Sequence, residues 1–159
     1  MTTYRPISLI KKGTIQKILK ASYQNFLSYF PNEKDVLYAQ WEQEDEEAFS
    51  NKTIGDHTMF TCINDIVIGY FSWDDRNFPI GLIGQNCIIP AFQNQGYGKK
   101  QLAFIEEKFK RNDFKEISVV TGDHKFFISA QKMYLACDYK KKRDLNGTLF
   151  QKIEFYKLI

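Results

Sequence analysis

The chain has 159 residues, 43% of them hydrophobic, which is length and apolar material enough for one domain, residues 1–159, with a core of its own. A formal net charge of +3 is too mild to point to nucleic acid, and three widely spaced cysteines, Cys62, Cys87 and Cys137, argue against a disulfide framework or a zinc site. No apolar run approaches about 18 residues and residues 1–12 hold no long apolar stretch, so a soluble, cytoplasmic protein with neither membrane nor nucleic-acid partner is expected.

Tyr4 to Ile10 reads as a first strand. Gly13-Thr14 offers a helix start, and Ile15, Leu19, Phe26 and Phe30 recur at near-helical spacing, so a helix is expected over 14–30, broken by Pro31-Asn32. A second helix, strongly acidic, is expected from Glu33 to Phe49, with Leu37, Trp41 and Ala48 on its apolar side. Residues 33–49 carry seven acids against Lys34, a net of −6. Asn51 to Asp56 reads as a loop. Thr58–Ile63 and Ile66–Trp73 are β-rich runs joined by Asn64-Asp65, a tight-hairpin signature.

Leu82 to Ile89 reads as a buried strand that stops at Pro90, since proline has no N–H for a ladder. A polar turn with Gly96 and Gly98 follows, and then a helix whose apolar side is Leu102, Ile105 and Phe109. Glu116–Thr121 is another strand, parallel to the previous one because a helix separates them. Residues 125–137 read as a helix with Phe126, Ala130, Met133 and Cys137 in a stripe. Asn146-Gly147 signals a hairpin, and Leu149–Leu158 reads as the last strand.

A strand that feeds a glycine turn at a helix N-terminus is a candidate anion site. The first helical N–H groups lack intrahelical partners, the dipole is positive there, and glycine brings the backbone close to a phosphate. Lys99 and Lys100 add charge at the same end. A dinucleotide fingerprint fails because Gln101 stands at the third glycine, and a P-loop fails because Gln93 and Lys100 replace its first glycine and its Ser/Thr. What remains is Gln93-x-x-Gly96-x-Gly98. Together with Ala130-x-x-x-Tyr134-x-x-x-Asp138-Tyr139 after the later strand, and an element order of β-α-α-β-β-β-α-β-α-β-β, it resembles the GNAT N-acetyltransferase superfamily. Two positions depart from that family's second pattern. Phe127 replaces an asparagine, and Asp138 replaces a glycine, although Asp tolerates the left-handed cap conformation.

The resemblance implies an α/β fold: a mixed central sheet of about seven strands with about four helices. It implies acetyl-CoA as co-substrate, without metal, its pyrophosphate on the turn of Gln93, Asn94, Gln95, Gly96, Tyr97, Gly98, Lys99 and Lys100, with Ile88 and Ile89 alongside. It implies direct attack by a primary amine, on a small molecule or a protein, in a ternary complex, by a monomer or homodimer. The Ile88 N–H would hold the thioester oxygen and Tyr134 would protonate the departing thiolate. The base stays open among Asp75, Asp74, Asp123, His124, Glu42 and Glu46. Cys87 is read as core rather than as a nucleophile. The acidic stretch, if it flanks the acceptor, would favour cationic amines. Two competing readings are a silent acyl-CoA-binding module and a nucleic-acid binder built on Lys140–Arg143.

Overall fold

The computed structural model describes residues 1–159. The strands are β1 (Thr2–Pro6), β2 (Thr58–Ile63), β3 (Ile66–Asp74), β4 (Ile80–Ile88), β5 (Glu116–Gly122), β6 (Lys140–Leu145) and β7 (Lys152–Leu158). The helices are α1 (Thr14–Ser22), α2 (Gln24–Leu27), α3 (Lys34–Ser50), α4 (Lys52–Asp56), α5 (Tyr97–Arg111) and α6 (Ile128–Ala136). All seven strands join one mixed sheet, in the order β1-β2-β3-β4-β5-β7-β6. The β4/β5 pair is parallel, Ile80–Ile83 against Glu116–Val119, as expected across a helical crossover. The expected fold class therefore holds. No helix is long and apolar enough to cross a membrane.

Several boundaries differ from expectation. The helix expected over 14–30 breaks at Tyr23, which leaves the helical region and separates α1 from α2. The stretch expected as a loop after Asn51 is α4, because the Asn51 side chain accepts from the Thr53 and Ile54 N–H groups and caps a short helix. Strand β7 begins at Lys152, so the connection after β6 is longer than an Asn146-Gly147 two-residue turn. The Asn64-Asp65 hairpin is as expected: both residues have positive φ, 46° and 69°.

The chain divides into two compact units. The first, Met1–Ser72 with Gln85–Gly98, packs α1 and α3 on the sheet. Its core holds Ile15, Leu19, Trp41, Ala48, Phe60, Tyr70 and Cys87. Asp45, only 1% exposed, ties α3 to α1. Its carboxylate accepts from the Gly13, Ile15 and Gln16 N–H groups at 2.9, 2.9 and 3.2 Å, so one anion fills the orphan donors of the α1 N-terminus. The second unit is Trp73–Gly84 with Lys99–Ile159. There Phe109 of α5 lies over Gly81, where a Cβ would come within 2.4 Å of the ring. Ile117, Val119, Tyr139, Ile153 and Phe155 are buried there as well.

Candidate acyl-CoA site

The end of β4 and the turn after it form a candidate site within the first unit. The Ile89 N–H donates to the Ile68 carbonyl of β3 at 2.9 Å. Successive amides of an extended strand point to opposite sides, so the Ile88 N–H and C=O face away from β3. The Ile88 carbonyl accepts from Ser22 Oγ at 3.3 Å and from Gln93 Nε2 at 2.8 Å. Gln93, the first residue of the motif, thus spends its side chain on anchoring the turn to the strand. Gly69 lets β4 come close, since a Cβ there would sit 2.2 Å from the Cys87 carbonyl oxygen.

The turn itself is exposed from Gln93 to Gly96. Asn94 and Gly96 have φ of 59° and 86°, and α5 opens at Tyr97. The path from strand to helix therefore needs two left-handed residues, and this is why an asparagine and a glycine stand there. A Cβ built on Gly96 meets nothing within 4 Å, so the space over the turn is open. Gln95 Nε2 turns back to the Ala91 carbonyl at 3.3 Å, and Asn86 Nδ2 reaches the Gly98 carbonyl at 3.3 Å. Gly98 lies within the first turn of α5, and Lys99 and Lys100 are exposed on it. A turn with two left-handed residues at the positive end of a 15-residue helix is suited to an anionic phosphate.

In the second unit α6 ends in a Schellman arrangement. The Tyr139 N–H reaches the Tyr134 carbonyl at 3.0 Å and the Asp138 N–H reaches the Leu135 carbonyl at 3.2 Å. Asp138 takes φ of 68°, doing the work of the glycine it replaces. Tyr134 is 5% exposed and packs on Tyr139 and Phe155, with ring centroids 5.8 and 5.9 Å away. It is the buried residue of α6, whereas the apolar stripe of Phe126, Ala130, Met133 and Cys137 is only half-buried. Phe127 covers Gly122 together with Phe150, so aromatic packing occupies the place of the family's asparagine.

The candidate bases fare unequally. His124 Nδ1 accepts from the Phe126 N–H at 3.1 Å, which puts its ring proton on Nε2 and occupies the lone pair a base would use. Asp74 is bound by the Arg76 guanidinium and by its N–H. Glu42 pairs with Lys20 and Glu46 with Lys12. Asp75 and Asp123 are exposed loop residues. Burial pushes the Cys87 thiol up to about 12, partly offset by a hydrogen bond from Ser22, so it stays protonated and is no nucleophile.

Sequence reasoning missed Glu44 of α3. It accepts from Tyr70 Oη at 2.7 Å and bonds to Gln85 of β4. Burial raises its pKa; the Tyr70 and Gln85 hydrogen bonds pull it back and nearby Glu47 adds to the rise. A signal was present. Leu37, Trp41 and Ala48 mark the inward side of α3, and Glu44 fills the vacant position between Trp41 and Ala48 at helical spacing.

The solved structures that resemble this chain are remote in sequence. An acetyltransferase of the GNAT family from Desulfovibrio desulfuricans, so described, is 14% identical with a TM-score of 0.77, over 99% of both chains. The PaiA N-acetyltransferase of Thermoplasma acidophilum, solved with coenzyme A, is 15% identical with a TM-score of 0.70, over 100% of this chain and 99% of that one. The ribosomal-protein-S18-alanine N-acetyltransferase of Escherichia coli is 11% identical with a TM-score of 0.65, over 100% and 94%. At such identities these structures show a shared fold. No curated protein sequence matches. The family model described as "Acetyltransferase (GNAT) family" matches residues 17–139, a span that contains the Gln93–Gly98 turn, α6 and its cap, and the chain belongs to that family.

Proposed function

We propose that this protein is an acetyl-CoA-dependent N-acetyltransferase of the cytoplasm, acting on a primary amine by direct attack in a ternary complex. The observation that carries the reading is the Gln93–Gly98 turn, where left-handed Asn94 and Gly96 deliver a row of amides to the start of α5. The pyrophosphate of acetyl-CoA would be held there, with Lys99 and Lys100 adding charge. Coenzyme A in the Thermoplasma relative supports this choice of ligand.

The reaction asks three things of the chain. The acceptor ammonium gives up a proton, and its nitrogen then bonds to the thioester carbon. The Ile88 N–H, directed away from β3, would donate to the oxyanion. As the C–S bond breaks, the Tyr134 phenol would protonate the thiolate. The Phe127 packing favours one alternative, a module that binds acyl-CoA without turnover, because the position of the family's asparagine is filled by carbon. Product formation from acetyl-CoA and any amine separates the two.

Calorimetric titration of CoA tests the turn. Gly96→Val introduces a branched side chain at φ of 86° and into the open space above the amides, and should weaken CoA by at least tenfold, about 1.4 kcal/mol. Asn94→Gly removes a side chain while keeping the left-handed backbone accessible, and should change affinity little. Equal affinities for the two variants would overturn the role of the turn.

A further inference from the structure

We infer that Glu44 is the general base of this enzyme: its carboxylate receives the acceptor ammonium and takes its proton. The inference rests on the acetyltransferase reading above and assigns the one role that reading leaves open. Deprotonation needs an anion without a resident cation, close to the reacting strand and protected enough to hold a proton near neutrality.

The acids of α3 from Glu42 to Glu47 divide cleanly by partner. Glu42 and Glu46 lie against Lys20 and Lys12. Asp45 is consumed by three backbone N–H groups of α1. Glu47 accepts from Gln43 on the outside of α3. Glu44 alone of these is turned inward onto neutral donors, Tyr70 Oη of β3 and Gln85 of β4. Gln85 and Cys87 share one face of β4, and Ser22 from the end of α1 reaches both Cys87 and the Ile88 carbonyl. Glu44 therefore belongs to the same polar cluster as the strand end where the acyl group would be held.

The groups facing Glu44 from each neighbouring element are Tyr70 on β3, Gln85 and Cys87 on β4, and Glu47 on its own helix. Tyr70 is held far above its ordinary pKa by burial and by Glu44 itself, and Cys87 stays a thiol, so neither supplies a charge near neutral pH. Nothing in the cluster is positive. A bound ammonium would supply the missing charge, while burial, with Glu47 adding to it, holds the carboxylate above its ordinary pKa against the pull of the Tyr70 and Gln85 hydrogen bonds. The proton moves from the ammonium nitrogen to a Glu44 oxygen, directly or across one water. The nitrogen lone pair then forms the C–N bond; as the C–S bond breaks the thiolate takes a proton from Tyr134, and the second proton that the nitrogen sheds on becoming an amide returns to Tyr134 through solvent. Glu44 returns its proton to solvent after product leaves.

The test measures kcat/KM against pH with acetyl-CoA and n-butylamine, putrescine, a lysine-containing peptide and trifluoroethylamine, the last already neutral at pH 7. Glu44→Gln keeps an acceptor for Tyr70 but removes the base. With the alkylamines it should lose about 10²-fold or more at pH 7, and its rate should climb with pH only as free amine is supplied, without the acidic limb that titration of Glu44 gives the wild-type enzyme. With trifluoroethylamine it should stay within a few-fold of the wild-type enzyme. Glu44→Asp retains a carboxylate and should keep the acidic limb at reduced rate, which covers the case of a poorly folded amide variant. A wild-type profile in Glu44→Gln, or an equal loss with neutral and cationic amines, overturns the assignment. A wild-type enzyme that binds acetyl-CoA yet acetylates no amine overturns the proposed function instead.

Discussion

Each compact unit contains a tyrosine hydroxyl bonded to a glutamate, and the two pairs are finished differently. In the second unit Tyr139 Oη donates to Glu106 at 3.1 Å, and Lys157 Nζ lies 3.1 Å from the other carboxylate oxygen while also donating to the Cys137 carbonyl at 3.0 Å. Anion, cation and carbonyl close on one another around the α6 cap. In the first unit Tyr70 and Gln85 bond to Glu44, and both are neutral. Both tyrosines are pushed up by burial first and by their glutamates second. The lesson is that similar burial does not make a similar group. A carboxylate that has its cation is a structural tie, and a carboxylate lined by neutral donors has electrostatic room for a ligand.

The largest effect that would sharpen this comparison is on rate, and it comes from the tyrosine beside the closed cluster. Tyr134→Phe keeps the ring against Tyr139 and Phe155 but deletes the proposed proton donor. Its kcat should fall by roughly 10²–10⁴-fold with Tm and acetyl-CoA affinity little changed. A thioester with a more acidic thiol should recover part of the loss. A variant that turns over normally, with chemistry rate-limiting, would make Tyr134 part of the structural tie.

Next in size is a stability effect with no expected counterpart in chemistry. Lys157→Met leaves the Glu106 carboxylate, whose side chain is 12% exposed, without its cation. A fully buried pair would lose about 3–5 kcal/mol this way; partial exposure reduces the expectation to about 2 kcal/mol, read from urea unfolding at pH 7. CoA affinity and kcat should hold. A large loss of kcat at unchanged stability would erase the distinction between the two clusters.

Much of this was legible in the chain itself, and the reasons differ by element. The left-handed backbone of the Gln93–Gly98 turn could be read because Asn94 and Gly96 are residues that announce positive φ. The Asn64-Asp65 hairpin was legible for the same reason. Asp138 as the α6 cap followed from its tolerance of that conformation. The acids of α3 were harder, since charge alone does not say which carboxylate turns inward. Summed as a net of −6 they suggested a field, whereas Asp45, Glu42 and Glu46 are each partnered within the fold. The capping of α1 by Asp45 joins residues about thirty positions apart and left no local trace. His124 was attractive by residue type, but its Nδ1 caps the short turn that follows it by accepting from the Phe126 N–H two residues on, a local use of the ring that residue type alone does not announce.

The smallest effect has the most telling sign. Burial raises the Glu44 pKa above its ordinary 4.5 in the folded protein. The stability linked to this group is fully present below about pH 4.5, where it is protonated in both states, and is lost as pH rises through the folded value. Ionised Glu44 thus weakens the fold at pH 7. Glu44→Gln should therefore raise Tm there by a few degrees, corresponding to about 1 kcal/mol, and the gap over the wild-type protein should close as pH is lowered to about 4. The wild-type curve by itself is no guide, because Glu154 acts the other way. Burial pushes the Glu154 pKa up, but hydrogen bonds from Ser118 and Arg143 outweigh it and hold it below its ordinary range, so its stabilisation disappears as pH falls. Subtracting the two melting profiles removes that common background and leaves the Glu44 titration. A wild-type protein more stable than Glu44→Gln at pH 7, or a gap that does not change with pH, would mean that Glu44 is as fully compensated as Glu106, and the contrast between the two clusters would be lost.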